Sequence, residues 1–302
     1  MADFFTNIKR RFNAGSIAAK YIYINVVVFI LIRALIIIFR LFMKEATFLL
    51  YLELPSSPEL FLQQPWTIIT YMFVHIDFLH ILFNMLWLYW FGNIFLQFFT
   101  GRQLGGLYLL GGIAGGAFFL LAYNFFPYLK QLSAMSLLAG ASASVMAIVF
   151  AVSFYRKDYT IRLLLIGKIR LIYLAIGVLL IDILAITSEN SGGHIAHIGG
   201  ALSGILFAVQ YQKQNDITGL INRFVDQIVN LFSRKPVFKT YRTKSQSGNP
   251  HSTRRAETDD AYLRRKNEEN RKIDEILDKL KRSGYESLSA DEKRKLFDAS
   301  RK

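Results

Sequence analysis

The chain of 302 residues is 53% hydrophobic and 15% aromatic, with 36 Lys and Arg against 22 Asp and Glu for a net charge of +14. Charged residues make up 19%, below the roughly 25% usual in soluble domains, so neither a disordered chain nor a single soluble domain fits. Cysteine is absent, which excludes disulfides, thiolate nucleophiles and cysteine-type zinc sites.

The charge is unevenly placed. Residues 1–212 hold 14 basic and 8 acidic side chains, and residues 213–302 hold 22 and 14. An apolar body with a polar tail is the composition of a membrane protein, so the expected surroundings are a lipid bilayer and no nucleic acid. In chain order, residues 1–20 carry Lys9, Arg10, Arg11 and Lys20 and read as a cytoplasmic segment. The apolar run that follows is too long for a signal peptide and lacks a small-residue cleavage site, so it is expected to be a retained first helix.

A bilayer-crossing helix needs about 20 mostly apolar residues. Six stretches qualify: residues 21–43, 68–99, 105–126, 132–154, 163–187 and 194–211. The second is longer than a span needs, and its early part is expected to be a loop entering the membrane. Basic residues fix the orientation. Arg156, Lys157, Arg162, Lys168 and Arg170 lie between the fourth and fifth stretches, and the tail holds 22 more. The first and third loops carry little beyond Lys44 and Lys130, and residues 188–193 carry none. Lys and Arg mark the cytoplasmic side, so both termini are expected there. The prediction is an all-α polytopic membrane protein with a six-helix domain over residues 21–211.

Beyond it, Ile217, Leu220, Ile221, Phe224, Ile228, Leu231 and Phe232 recur at helical spacing, which predicts an amphipathic interfacial helix over residues 212–233. Residues 234–256 read as a basic linker. Residues 257–302 read as a small cytoplasmic helical module, with Ile273, Ile276, Leu277 and Leu280 on one helix. Ser289 and Glu292 form a capping box for the next. A solvated tail and a docking module for a cytoplasmic partner fit these residues equally.

Polar residues inside the body are costly and normally face the bundle interior or a water-filled cavity. His75, His80 and Asn84 lie at the start of the second span, Ser142 near the start of the fourth, and His194 and His197 at the start of the sixth. All three helices begin at the outer face, so His80, Asn84, Ser142 and His197 can converge below it. A serine hydroxyl becomes a nucleophile when an imidazole takes its proton, and an asparagine amide or helix-start N–H groups can hold an oxyanion. Asp77 and Asp182 are the nearest carboxylates, and neither spacing suggests contact with His197. Asp182 reads as a helix-end hydrogen-bonding residue and His194 as a loop residue. With no HExxH, no cysteine and no matching carboxylate, no metal is expected. Gly111, Gly112, Gly115, Gly116, Gly200 and Gly204 form small-x3-small patterns suited to close helix contact. Arg33, deep in the first span, calls for a partner on another helix.

The pattern His75-x4-His80-x3-Asn84, then Gly140-Ala141-Ser142-Ala143, then Ala196-His197-Ile198-Gly199-Gly200-x3-Gly204 resembles the rhomboid intramembrane serine proteases. The resemblance covers roughly residues 21–211 and implies a six-helix rhomboid-like bundle. It implies Ser142 as nucleophile and His197 as general base of a dyad, with Asn84, His80 and the Ser142 amide as oxyanion hole and His75 in support. It also implies close packing at Gly140, Gly200 and Gly204, no cofactor, and membrane-spanning protein substrates cut in or near their transmembrane segments. The expected location is the bacterial cytoplasmic membrane. Ala143, Met146 and Thr67 depart from the family pattern. Two other classes stay open: a rhomboid-like protein that binds transmembrane clients with little or no catalysis, and a transporter, although no internal repeat is found.

Overall fold

A computed structural model of the chain describes residues 12, 14–132, 136–163, 167–232, 275–276, 279–280, 287–289 and 291–294. Lys9, Arg10 and Arg11, the linker 234–256 and most of the tail module, including Ile273 and Leu277, lie outside the described residues. Two compact units divide the chain, one ending at Lys235 and the other beginning at Pro236.

The first unit is built on helices. Helix α1 (Ile17–Leu41) is capped by Ser16, whose Oγ accepts the Ala19 N–H at 3.3 Å. A loop region follows with strand β1 (Leu54–Pro55) and short helices α2 (Pro58–Gln63) and α3 (Thr67–Thr70). Helix α4 (Phe78–Phe95) begins only after a 3₁₀ turn and four residues of loop. The early part of the predicted 68–99 span is thus irregular. Helix α5 (Gly101–Phe125) opens on a capping box: the Gln103 N–H donates to Thr100 Oγ1, and Gln103 Oε1 accepts the Thr100 N–H at 2.9 Å. After α6 (Pro127–Leu132) and strand β2 (Leu137–Leu138) come α7 (Ser142–Tyr155), hairpin strands β3 (Thr160–Leu163) and β4 (Gly167–Arg170), and α8 (Leu171–Leu184). Helices α9 (Ser191–Gln212) and α10 (Thr218–Phe232) complete the unit.

Three expectations need correction. The fold is mostly helical but not all-α, since β1 pairs with β2 and β3 with β4, each antiparallel. Within the predicted 132–154 span α7 begins only at Ser142, because β2 and the positive φ of Gly140 (+122°) lie immediately before it. In the predicted 163–187 span Leu163 and residues 167–170 lie in the β3–β4 hairpin, with Gly167 at φ +83°, and α8 begins only at Leu171. By length and composition, α1, α4, α5 and α9 can each cross a membrane, while α7 and α8 are shorter apolar helices of 14 residues each.

The core lies where α5, α7 and α9 meet. Ala147, Ile148, Val149, Phe150 and Phe207 are all fully buried. The outer surface is apolar instead of polar: Val27, Ile30 and Leu31 of α1 and Leu180 and Ile181 of α8 are all more than half exposed. Such a surface has its stable partner in lipid. Helix α10 also leaves Leu220, Phe224 and Leu231 exposed along one face. Its start is tied to α5, with Asp216 accepting from the Thr218 N–H at 2.9 Å and from the Gln103 amide at 3.0 Å.

In the second unit, the capping box predicted at Ser289 and Glu292 is formed. The Ser289 N–H donates to Glu292 Oε2 at 2.7 Å, and the Glu292 N–H donates to Ser289 Oγ at 3.3 Å. Lys279 pairs with the same carboxylate at 3.0 Å. The Ser289 N–H and the Lys279 ammonium together hold the Glu292 carboxyl below its ordinary range.

Candidate functional site

The glycines decide how close the helices come. A Cβ added at Gly200 would lie 2.1 Å from the Ala143 carbonyl oxygen, and one at Gly204 would lie 2.2 Å from that of Ala147. Helix α9 therefore touches the backbone of α7 one residue and five residues after Ser142. Gly111 and Gly115 do the same from α5, where a Cβ would come within 2.4 Å of Ala147 Cβ and 2.5 Å of Ala143 Cβ. Gly140 acts differently. It belongs to the turn before α7 rather than to a helix contact, and a Cβ there would strike the His80 ring at 2.7 Å. Only glycine satisfies both the left-handed φ and the imidazole.

Around this contact the chain opens a cavity of about 390 Å³. It is lined by His80 and Asn84 of α4, Ser142 and Met146 of α7, Asp182 of α8 and His197 of α9. Phe83, Trp87, Val178 and Ile181 give it an apolar wall. Ser142 is the first residue of α7, where backbone N–H groups have no intrahelical partner. Asn84 points its amide nitrogen back to the His80 carbonyl at 2.9 Å. His75 does not reach the cavity lining. It is fully buried before α4, and its Nε2 accepts the Ala141 N–H at 3.3 Å, which pins the turn leading into Ser142.

That turn and the loop opposite are held from several sides. The Gly140 N–H donates to the Tyr71 carbonyl at 2.9 Å. The Tyr108 hydroxyl donates to the Met72 carbonyl at 3.0 Å, and Asn25 of α1 donates to Tyr108 at 3.1 Å. Arg33 finds its partner here, in a loop and not on a helix: its guanidinium donates to the Ile76 carbonyl at 3.3 Å. None of Asn25, Tyr71 and Tyr108 stands out in the sequence, where aromatic residues are plentiful and one asparagine in a span carries no pattern.

The main correction concerns Asp182. Its Oδ1 lies 2.8 Å from His197 Nδ1 and 2.7 Å from His194 Nδ1, although the spacing in sequence suggests no contact with His197. Residues 185–190 turn the chain back on itself, so the end of α8 meets the start of α9. Asp182 is 3% exposed, and its second oxygen is buried without a hydrogen-bond partner. His194, read from sequence as a loop residue, lies in the first turn of α9. A signal was present: a carboxylate in an apolar helix needs a partner, and the only stretch of the sequence with two histidines three residues apart follows it.

Fold and site together define a polytopic helical membrane protein with a serine, a buried carboxylate and two histidines around one cavity. Residues 62–214 match the Rhomboid domain family, and residues 256–302 match a family of unknown function, DUF6576. The chain belongs to the rhomboid family. It is similar to RHOMBOID-like protein 12, mitochondrial, from Arabidopsis thaliana, with 34% identity over 145 residues. The match covers 45% of this chain and 43% of that protein, so the chain spans less than half of its relative's length.

Proposed function

We propose that the chain is an intramembrane serine endopeptidase that hydrolyses peptide bonds in or near the transmembrane segments of membrane-protein substrates. The supporting observation is that Ser142, His197, His80 and Asn84 border one cavity, with Asp182 behind His197. If His197 Nδ1 carries its proton toward Asp182, Nε2 holds a free lone pair. That nitrogen takes the Ser142 hydroxyl proton as Oγ attacks the scissile carbonyl. The Asn84 amide, His80 and the first N–H groups of α7 stabilise the resulting oxyanion. On collapse, His197 returns the proton to the leaving amine. Water then repeats the sequence in the second half-reaction and releases the acyl group from Ser142.

In this reading six helices cross the bilayer, with both termini in the cytoplasm. Helices α7 and α8, at 14 residues, are about 21 Å long. That falls short of a hydrocarbon slab of about 30 Å. Helix α7 therefore starts below the outer face, where the cavity admits water to Ser142. The apolar wall formed by α4 and α8 receives the substrate segment, and α10 lies on the inner surface with its apolar face in lipid.

The test is cleavage of a model transmembrane substrate in liposomes by wild type and Ser142→Ala, with fluorophosphonate labelling of both. Wild type should cleave and label, and the variant should do neither. Equal cleavage would sink the proposal. Capture of the substrate by both proteins without cleavage would point to a client-binding relative instead.

A further inference from the structure

His194 has no part in the hydrolysis described above, yet it is built into the same cluster. It precedes His197 by one helical turn, and both rings present Nδ1 to a single oxygen of Asp182, at 2.7 and 2.8 Å. Two imidazole nitrogens and a carboxylate oxygen thus lie within 4.8 Å of one another. The other Asp182 oxygen is buried and unpartnered, so the carboxylate has coordinating capacity that the protein does not use. Both imidazoles are about one-fifth exposed, at 19% and 20%, and His197 and Asp182 border the cavity, which gives a cation a way in.

We propose that Asp182, His194 and His197 bind a divalent transition-metal cation of the zinc class, and that the bound cation switches off the His197 base. The inference rests on the reading of His197 as general base. The donor set selects the metal class: two imidazoles and one carboxylate suit zinc, whereas magnesium and calcium take oxygen donors. A tetrahedral ion at about 2.0–2.2 Å from each donor spaces its ligand atoms a little over 3 Å apart. The hydrogen-bonded distances then open by about half an ångström, within reach of small side-chain rotations. Water from the cavity fills the remaining position.

The chemical consequence follows from the tautomer. Without metal, Nδ1 of each ring carries a proton shared with Asp182, and Nε2 carries the lone pair. A cation needs the Nδ1 lone pair, so the proton of each neutral ring moves through cavity water to Nε2, and no proton is gained or lost. His197 then presents an N–H to Ser142 and cannot accept the hydroxyl proton. One cation stops the reaction without touching the nucleophile.

Two measurements test this on the full chain. Zinc is titrated into wild type and His194→Phe during cleavage of the model substrate, each rate normalised to that protein's own rate in EDTA. Wild type should be inhibited and recover on chelation, and His194→Phe should need about tenfold more zinc or beyond. Millimolar zinc that leaves the wild-type rate unchanged, or an equal midpoint in both proteins, overturns the proposal. Independently of activity, cobalt(II) is titrated into Ser142→Ala and followed by visible absorption. One tetrahedral site is expected, lost when His194→Phe or Asp182→Asn is added, and equal binding in all three overturns the proposal. If wild type cleaves nothing, the protease reading fails on its own, and the cobalt series still decides the metal site.

Discussion

A histidine that accepts a proton from serine must present its unprotonated nitrogen to the hydroxyl, and a carboxylate on the other ring nitrogen selects that tautomer. Asp182 occupies this position behind His197 at 2.8 Å. Asp182→Asn keeps the shape and removes the charge, and an amide can also donate to Nδ1 and favour the wrong tautomer. The expected outcome is a kcat lower by roughly a hundred-fold or more with KM little changed, measured by steady-state cleavage in detergent. Glu53, in the loop before β1 and outside the spanning helices, gives a second prediction. It is 5% exposed, and burial pushes its carboxyl up from an ordinary 4.5 to about 7. The folded protein holds this proton more tightly than the unfolded chain does. The resulting stability is therefore full below about pH 4.5 and is lost as pH rises through about 7. Glu53→Gln should exceed wild type in stability by on the order of 1 kcal/mol near pH 8, and the gain should fade near pH 4. Thermal unfolding at the two pH values measures it.

At the scale of elements, the contact between α7 and α9 sets the depth and spacing of the site. Gly200 has no room for a methyl group, because the obstacle is the Ala143 carbonyl and backbone cannot rotate away. Gly200→Ala should cost about 1–3 kcal/mol and reduce cleavage, since α9 must shift relative to Ser142. Gly177 of α8 is the control: nothing lies within 4 Å of its added Cβ. Gly177→Ala should be neutral, or stabilising by up to about 1 kcal/mol through helix propensity. Thermal unfolding in detergent separates the two. The small-residue pattern around Gly200 and Gly204 is legible in sequence because it repeats with the helix period. The start of α7 is not, because residues 137–141 are as apolar as the helix that follows, and only the β1–β2 pairing and the turn at Gly140 break them away.

For the whole molecule, composition and topology give one prediction that this chain is well suited to test. The sequence has no cysteine, so each introduced thiol reports alone. With six crossings and cytoplasmic termini, Ser188→Cys should react with a membrane-impermeant maleimide in intact cells. Ser16→Cys and Lys213→Cys should react only after permeabilisation. The reverse pattern would overturn the orientation. The exposed aliphatic surfaces of α1 and α8 agree with a lipid-facing exterior, since in water they would be an aggregation liability.

By itself the sequence determined a membrane-embedded helical body, its likeness to rhomboids, and the set of polar residues in it. Hydropathy, periodicity and motif order are local properties and survive without a structure. Only the tertiary structure decided which polar groups meet. Asp182 and His197 are 15 residues apart on different helices, and nothing in that spacing encodes the turn that joins α8 to α9. Helix length was likewise decided in three dimensions, where β1–β2 pairing and the β3–β4 hairpin took residues that hydropathy assigns to spans. An apolar residue gains from burial in a strand, a helix or lipid alike. Its environment is therefore written in the sequence, whereas its partner is fixed only by packing.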